Sequence, residues 1–111
     1  MGYGTGESGI ICRMTREEYF SECDTENTVE FFCQYFGVTQ PILKRNPTPS
    51  NPRVFRGLYC PRTQVLSYNR DMTGLIIHEL AHHIVQMQGK NGSGHHNPQF
   101  WEVLQEMHDL W

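Results

Sequence analysis

Two segments near the end of the chain repeat apolar residues at helical spacing. The first predicts a helix from Met72 to about Gln88 whose apolar side faces the core. That apolar side comprises Ile76, Ile77, Leu80, Ile84 and Met87. The second predicts a helix from Pro98 to the C-terminus, with Asn97 as N-cap, because proline suits the first helical position. A glycine-rich turn over 89–94 joins the two helices.

Two shorter helices are predicted in the first part of the chain. The capping-box pattern over 15–18 predicts a short helix through about residue 23. A second helix is expected from near Thr25 or Thr28 to Phe36, and Gly37 is its left-handed C-cap. Helices are therefore expected at both ends of the chain.

Between these helices the pattern changes to that of strands. Segments 54–59 and 63–68 are rich in β-branched and aromatic residues and meet around 61–62, so they predict two paired strands. Segment 41–44 is expected to supply a further edge strand. Three prolines within 46–52 require a loop. The predicted class is α+β, with N-terminal helices, a small antiparallel or mixed sheet, and two further helices.

The composition indicates one compact domain. With 111 residues, of which 38% are hydrophobic, the chain can bury one core but not two. We expect a flexible tail over 1–11 and a single domain over 12–111. No run approaches the ~20 apolar residues that span a bilayer, so no membrane contact is predicted. The four cysteines form no C-x-x-C pair, so no zinc ribbon or thioredoxin-like motif is predicted. The N-terminus lacks a secretory signal, which indicates reduced thiols and an intracellular protein of the cytoplasm or nucleus.

Charge is distributed unevenly, although the net charge is only −3. Between Phe31 and Arg70 the chain has no acidic residue and six basic ones: Lys44, Arg45, Arg53, Arg56, Arg62 and Arg70. Such a segment forms either a solvated surface without a partner or a positive face that attracts nucleic acid. The basic segment 31–70 is therefore a candidate for weak DNA binding.

The predicted helix over 72–88 carries the candidate chemistry, because residues 78–82 form an HExxH motif. His78 and His82 lie about 40° apart on a wheel that advances ~100° per residue, away from the apolar side. Two imidazoles one turn apart can bind one zinc ion, Zn²⁺. Glu79 would not be a ligand. It would act as general base toward the attacking water and later pass the proton to the leaving amine.

A catalytic zinc site needs a third protein ligand. Glu102 follows His82 at a spacing typical of glutamate-ligand enzymes, but it falls on the solvent side of the last helix. His95 and His96 precede that helix, after the glycine-rich turn. The pattern favours His96, with His95 and Glu102 as alternatives. His83 lies too far round its helix to share the metal and is expected beside the site or at the edge of the core.

Together the two motifs resemble those of the SprT-like (Spartan) metallopeptidase family. HExxH at 78–82 is followed by His-Asn-Pro-Gln-Phe-Trp at 96–101, which is similar to the family's His-Gly-Pro-Glu-Phe segment. The resemblance covers the second half of the chain and implies a minimal zincin fold, with His96 as third zinc ligand and Phe100 as an anchoring aromatic. Asn97 stands where the family usually has glycine. The resemblance also implies protein substrates near DNA.

The function expected from the residues is a zinc-dependent endopeptidase that cleaves protein or peptide substrates, with Glu79 as general base. One alternative is a zinc amidase of the deformylase kind, in which a cysteine is the third ligand and Cys60 is the candidate. Another is a zinc-binding regulatory module without activity, although an intact Glu79 disfavours it. The sequence gives no indication of the oligomeric state.

Overall fold

The computed structural model describes residues 16–46, 57–89 and 96–111. Within these ranges the chain has four helices and three strands. In chain order they are α1 (Arg16–Tyr19), α2 (Thr25–Phe36), β1 (Ile42–Arg45), β2 (Gly57–Cys60), β3 (Val65–Tyr68), α3 (Thr73–Met87) and α4 (Pro98–Leu110). The predicted α+β class is confirmed. The tail predicted over 1–11 lies outside the described residues.

The three strands form one mixed sheet in the order β1-β3-β2. The central strand, β3, is parallel to β1 and antiparallel to β2, so that Leu66 lies between Leu43 and Tyr59. Leu66 and Tyr59 are buried and Leu43 is half-buried, so this face of the sheet packs on the core. Leu58, which precedes Tyr59 in β2, points to the opposite face and is 66% exposed. The edge strand predicted at 41–44 is confirmed, one residue later in the chain.

The hairpin between β2 and β3 has a longer turn than the sequence predicts. β3 begins at Val65 rather than at residue 63, because Gln64 adopts a φ of 58°, which no strand residue can adopt. The Gln64 amide closes the turn by donating to the carbonyl oxygen of Cys60 at 2.8 Å. Residues 54–56 of the predicted strand lie outside the described residues.

The first helix, α1, is shorter than predicted and ends at Tyr19. The chain after it is tied to the start of α3 instead of continuing as a helix. The Thr73 amide donates to the carbonyl oxygen of Ser21 at 2.9 Å, and the Cys23 amide donates to that of Asp71 at 3.0 Å. These bonds require an extended backbone, which is why the helical turn expected through residue 23 does not form.

The helices α2 and α4 follow the sequence signals closely. α2 begins at Thr25, the earlier of the two predicted starts, because the Asp24 side chain caps it. It ends at Gly37, whose φ of 68° confirms the left-handed C-cap. In α4 the side chain of Asn97 accepts from the Phe100 amide at 2.9 Å, so the predicted N-cap is also confirmed.

The helix α3 forms the centre of the core. It contacts α1, α2, α4 and two strands, β2 and β3. Its fully buried apolar residues are Ile76, Ile77, Leu80, Ala81 and Ile84. Each buried Leu or Ile side chain contributes about 1.5–3 kcal/mol. Near its start, Gly74 allows α1 to approach, because a Cβ at Gly74 would overlap the ring of Tyr19.

Two further features of the fold are the length and polarity of its helices and the state of its cysteines. Within the described ranges, no helix is both long enough and apolar enough to cross a bilayer. Cys23, Cys33 and Cys60 are free thiols. Burial raises the pKa of Cys33 to about 11, so this thiol stays protonated at neutral pH.

Candidate metal centre

Three histidines converge on one side of α3. His78 and His82 lie one helical turn apart, with ring centroids separated by 5.4 Å. His96 lies just before α4, and its ring centroid is 5.2 Å from that of His78 and 5.1 Å from that of His82. One ring nitrogen from each histidine lies within 4.8 Å of the other two. An arrangement of this kind can hold one metal ion.

The candidates for a third ligand lie in different places. His96 belongs to the cluster of three histidines. Glu102 is exposed on α4, as its position on the helical wheel predicts, and its carboxylate is not part of the cluster. Cys60, the candidate ligand of the amidase alternative, ends β2 and is not part of the cluster either. His95 lies outside the described residues.

The start of α4 explains how His96 reaches the two histidines of α3. Asn97 is extended, with φ −78° and ψ 173°, and caps the helix, while Pro98 occupies the first turn. Three residues after the cap, the Phe100 side chain enters the core and is only 1% exposed. The cap and the buried ring together hold the chain at His96 against α3.

Phe100 contacts all three imidazoles. Its ring is stacked on His82 at a centroid distance of 4.3 Å, and it lies 4.8 Å from His96 and 5.2 Å from His78. Trp101 adds a second aromatic contact to His96 at 5.2 Å. The resemblance implies an anchoring aromatic at Phe100, but its contact with every ring of the cluster is evident only in the tertiary structure.

The surroundings of His78 keep its imidazole neutral. Burial, together with repulsion from the positive charges of His96 and His108, lowers the pKa of His78 to about 4. A neutral imidazole offers a lone pair, which is the form that binds a metal. His78 is therefore ready to act as a ligand at neutral pH.

Glu79 is half-buried on α3, next to the histidines. Burial raises the pKa of its carboxyl, and a hydrogen bond from the backbone of Tyr59 in β2 opposes that rise. The strand comes so close that a Cβ at Gly57 would lie 2.9 Å from the Glu79 Cγ. A carboxylate in this position accepts a proton more readily than one in water.

The neighbouring histidine, His83, is fully buried and has a different role from His82. The carbonyl oxygen of Thr39 can only accept, so the His83 Nε2–H donates to it at 2.7 Å. The Tyr59 hydroxyl then donates to His83 Nδ1 at 2.8 Å. Burial lowers the pKa of His83, which agrees with a neutral ring. The sequence predicts a position beside the site or at the edge of the core, but it does not indicate either hydrogen-bond partner of His83.

A cleft of about 720 Å³ opens beside Glu79. His78 and Glu79 form part of its wall, and the apolar residues Tyr19, Leu58 and Leu75 form another part. These apolar residues come from α1, β2 and α3, so only the tertiary structure brings them together. Sequence reasoning did not identify this cleft.

The basic segment 31–70 is only partly described, since Arg53 and Arg56 lie outside the described residues. Lys44 and Arg62 are exposed. Arg45 forms an ion pair with Asp71 at 3.2 Å, which reduces the positive charge available to a partner. DNA binding through this segment stays a prediction.

A comparison of the chain with protein-family models, with curated proteins and with solved structures found no match. The resemblance to the SprT-like family therefore stays a prediction from two short motifs. The functional argument rests on the geometry of the described residues.

Proposed function

We propose that this protein is a zinc-dependent endopeptidase. The observation that carries the proposal is the convergence of His78, His82 and His96, with the Glu79 carboxylate beside them and outside the set. Catalytic zinc sites commonly combine three protein ligands with one open position, and HExxH enzymes place a glutamate next to it. The three histidines of this chain correspond to the three ligands of such a site, and Glu79 corresponds to the glutamate.

The donor set fits zinc better than it fits the common hard cations. Ca²⁺ and Mg²⁺ prefer oxygen ligands, whereas imidazole nitrogens suit zinc and its neighbours in the transition series. The cluster of three histidines contains no carboxylate. Burial keeps His78 neutral, so no proton has to be displaced from this ring when a metal binds.

The reaction proposed for the site depends mainly on Glu79. Zinc, when bound, supplies the Lewis acidity that activates water and polarises the peptide carbonyl group. Glu79 accepts the proton of the attacking water, because its pKa is raised by burial. It then donates that proton to the nitrogen of the leaving amine, which completes the hydrolysis. A hydrogen bond from the Tyr59 backbone orients this carboxylate beside β2.

We further propose protein or peptide substrates and an intracellular location. The resemblance to the SprT-like family supports substrates associated with DNA, and exposed Lys44 and Arg62 are compatible with weak binding to the nucleic acid. Weak binding of this kind would fall steeply with added salt.

Zinc content and proteolysis of the Glu79→Gln variant test the proposal. The purified protein should contain about one zinc per chain and cleave casein, with and without single-stranded DNA present. Glu79→Gln should keep the zinc and lose more than about 100-fold in kcat, because the general base typically contributes 10²–10⁴-fold. Glu102→Gln, on the exposed side of α4, is the matched control and should retain activity.

Two results would contradict the proposal in different ways. If Glu79→Gln loses its zinc, the carboxylate is a ligand rather than the base. If the protein holds zinc but cleaves neither casein nor itself, it is a zinc-binding module and not a peptidase.

A further inference from the structure

The cleft beside Glu79 is lined mainly by uncharged residues. Tyr19, Leu58 and Leu75 supply its apolar surface, and Asn46 and Ser67 supply neutral polar groups. Among the described residues that line it, Glu79 is the only carboxylate, and there is no lysine or arginine. The described lining therefore offers no permanent positive charge that could form an ion pair with an acidic substrate side chain.

Two of the apolar residues are exposed to an unusual degree for their size. Leu58 is 66% exposed and Tyr19 is 39% exposed, whereas Leu75 of α3 is only 8% exposed. A ligand that covers Leu58 and Tyr19 would remove this apolar surface from water, which is favourable. The cleft thus has an apolar wall that the described part of the chain leaves uncovered.

The position of Tyr19 depends on a specific packing contact. Its ring lies against Gly74 at the start of α3, where any Cβ would overlap it. Leu58 is held by β2, an edge strand whose partner in the described sheet lies on one side only. Both side chains are therefore positioned by elements that pack on α3, the helix that carries His78 and Glu79.

We propose that this cleft selects substrates with a bulky apolar side chain, aliphatic or aromatic, next to the bond that is cleaved. The inference rests on the proposed endopeptidase function and goes further by naming the substrate class. The occupant is a peptide segment, because the cleft is continuous with Glu79 and His78 and is bounded by an edge strand. Its volume of about 720 Å³ is within the usual range of ligand sites.

Matched peptides test the selection. Short quenched-fluorescence peptides of glycine, serine and alanine would carry a single Leu, Phe, Ser or Glu at one position. The zinc-loaded protein should cleave the Leu and Phe peptides about tenfold faster in kcat/KM than the Ser and Glu peptides. Mass spectrometry of the products should place the cleaved bond at a constant distance from the apolar residue.

The Leu58→Ser variant removes part of the apolar wall, and Ile42→Ser is its matched control. Ile42 is 61% exposed on the other edge strand and does not line the cleft. The ratio of Leu-peptide to Ser-peptide cleavage should fall severalfold in Leu58→Ser and stay unchanged in Ile42→Ser. Because this readout is a ratio, a general loss of activity does not alter it.

Peptide binding separates this inference from the proposed function. The Leu and Ser peptides would be titrated into the Glu79→Gln protein by calorimetry, and the Leu peptide should bind more tightly. That result supports the cleft proposal even if no peptide is cleaved, in which case the endopeptidase function fails alone. Equal binding of both peptides, or an unchanged cleavage ratio in Leu58→Ser, would overturn the selection of apolar residues.

Discussion

Phe100 orders the cluster of three histidines before any ligand binds. Its ring is buried in the core and touches His78, His82 and His96. Side chains that are held by packing lose little further freedom when they bind a ligand, which favours affinity. The exposed His96 benefits most, since Phe100 and Trp101 both contact its ring.

The first prediction concerns the third ligand. His96→Ala should weaken zinc binding by more than about 100-fold, because even the loss of an outer-shell partner of a ligand costs 10–100-fold. Glu102→Ala should change it little, since this carboxylate is exposed and outside the cluster. Competition with a chromophoric chelator measures both affinities.

Other outcomes would reassign the ligand. Loss of zinc in Glu102→Ala, with retention in His96→Ala, would identify a glutamate-ligand enzyme and contradict the SprT-like resemblance. If His95→Ala is the damaging change, the family resemblance survives but the assignment to His96 is wrong by one residue.

At the scale of secondary-structure elements, the contact between β2 and α3 positions Glu79, the proposed general base. Gly57 opens β2, and a Cβ there would lie 2.8 Å from the Leu75 Cδ1 and 2.9 Å from the Glu79 Cγ. Separations this short force the neighbouring side chains to move. The absence of a side chain at Gly57 therefore lets Glu79 lie against the strand and receive the hydrogen bond from Tyr59.

The second prediction is that Gly57→Ala lowers kcat by at least about tenfold and leaves zinc content unchanged. A displaced carboxylate loses the geometry needed for proton transfer, and small misplacements of catalytic groups are costly. Steady-state peptidase kinetics and metal analysis measure the two effects.

Gly37→Ala is the control for that experiment. It introduces strain at a φ of 68° and has open space around the new Cβ, so it should reduce stability by about 1–2 kcal/mol without altering kcat. An equal loss of kcat in both variants would show that Gly57 acts through stability and not through Glu79.

At the scale of the whole molecule, one buried hydrogen-bond network joins three parts of the chain. Tyr59 from β2 donates to His83 of α3, and His83 donates to the carbonyl oxygen of Thr39 ahead of β1. Burial raises the pKa of Tyr59 to about 12, so its hydroxyl remains a donor at neutral pH. The network therefore ties α3 to the sheet.

The third prediction tests this network. Tyr59→Phe should lower the free energy of unfolding by about 1–3 kcal/mol, because it leaves a buried imidazole nitrogen without its donor. Tyr35→Phe is the control: its hydroxyl donates to Glu106 at 3.0 Å on the surface, and its loss should cost no more than about 0.5 kcal/mol. Urea denaturation measures both, and equal values would show that the network does not stabilise the fold.

The α+β class and most helix ends were predictable because their signals are local. Gly37 and Asn97 act on their own backbone, so both caps are as predicted. The neighbouring positions of His78 and His82 follow from helical geometry alone. By contrast, α1 ends early because Ser21 bonds with Thr73, a residue far away in the sequence.

The amino-acid sequence alone determined which side chains could take part in the candidate site, since the HExxH spacing and the His-x-Pro segment are local patterns. Only the tertiary structure decided how they meet. It placed His96 rather than Glu102 next to His78 and His82, brought Gly57 against Glu79, and formed the cleft that Tyr19 and Leu58 line. These contacts join residues that are distant in sequence, and their formation depends on burial of a shared core, which no local pattern encodes.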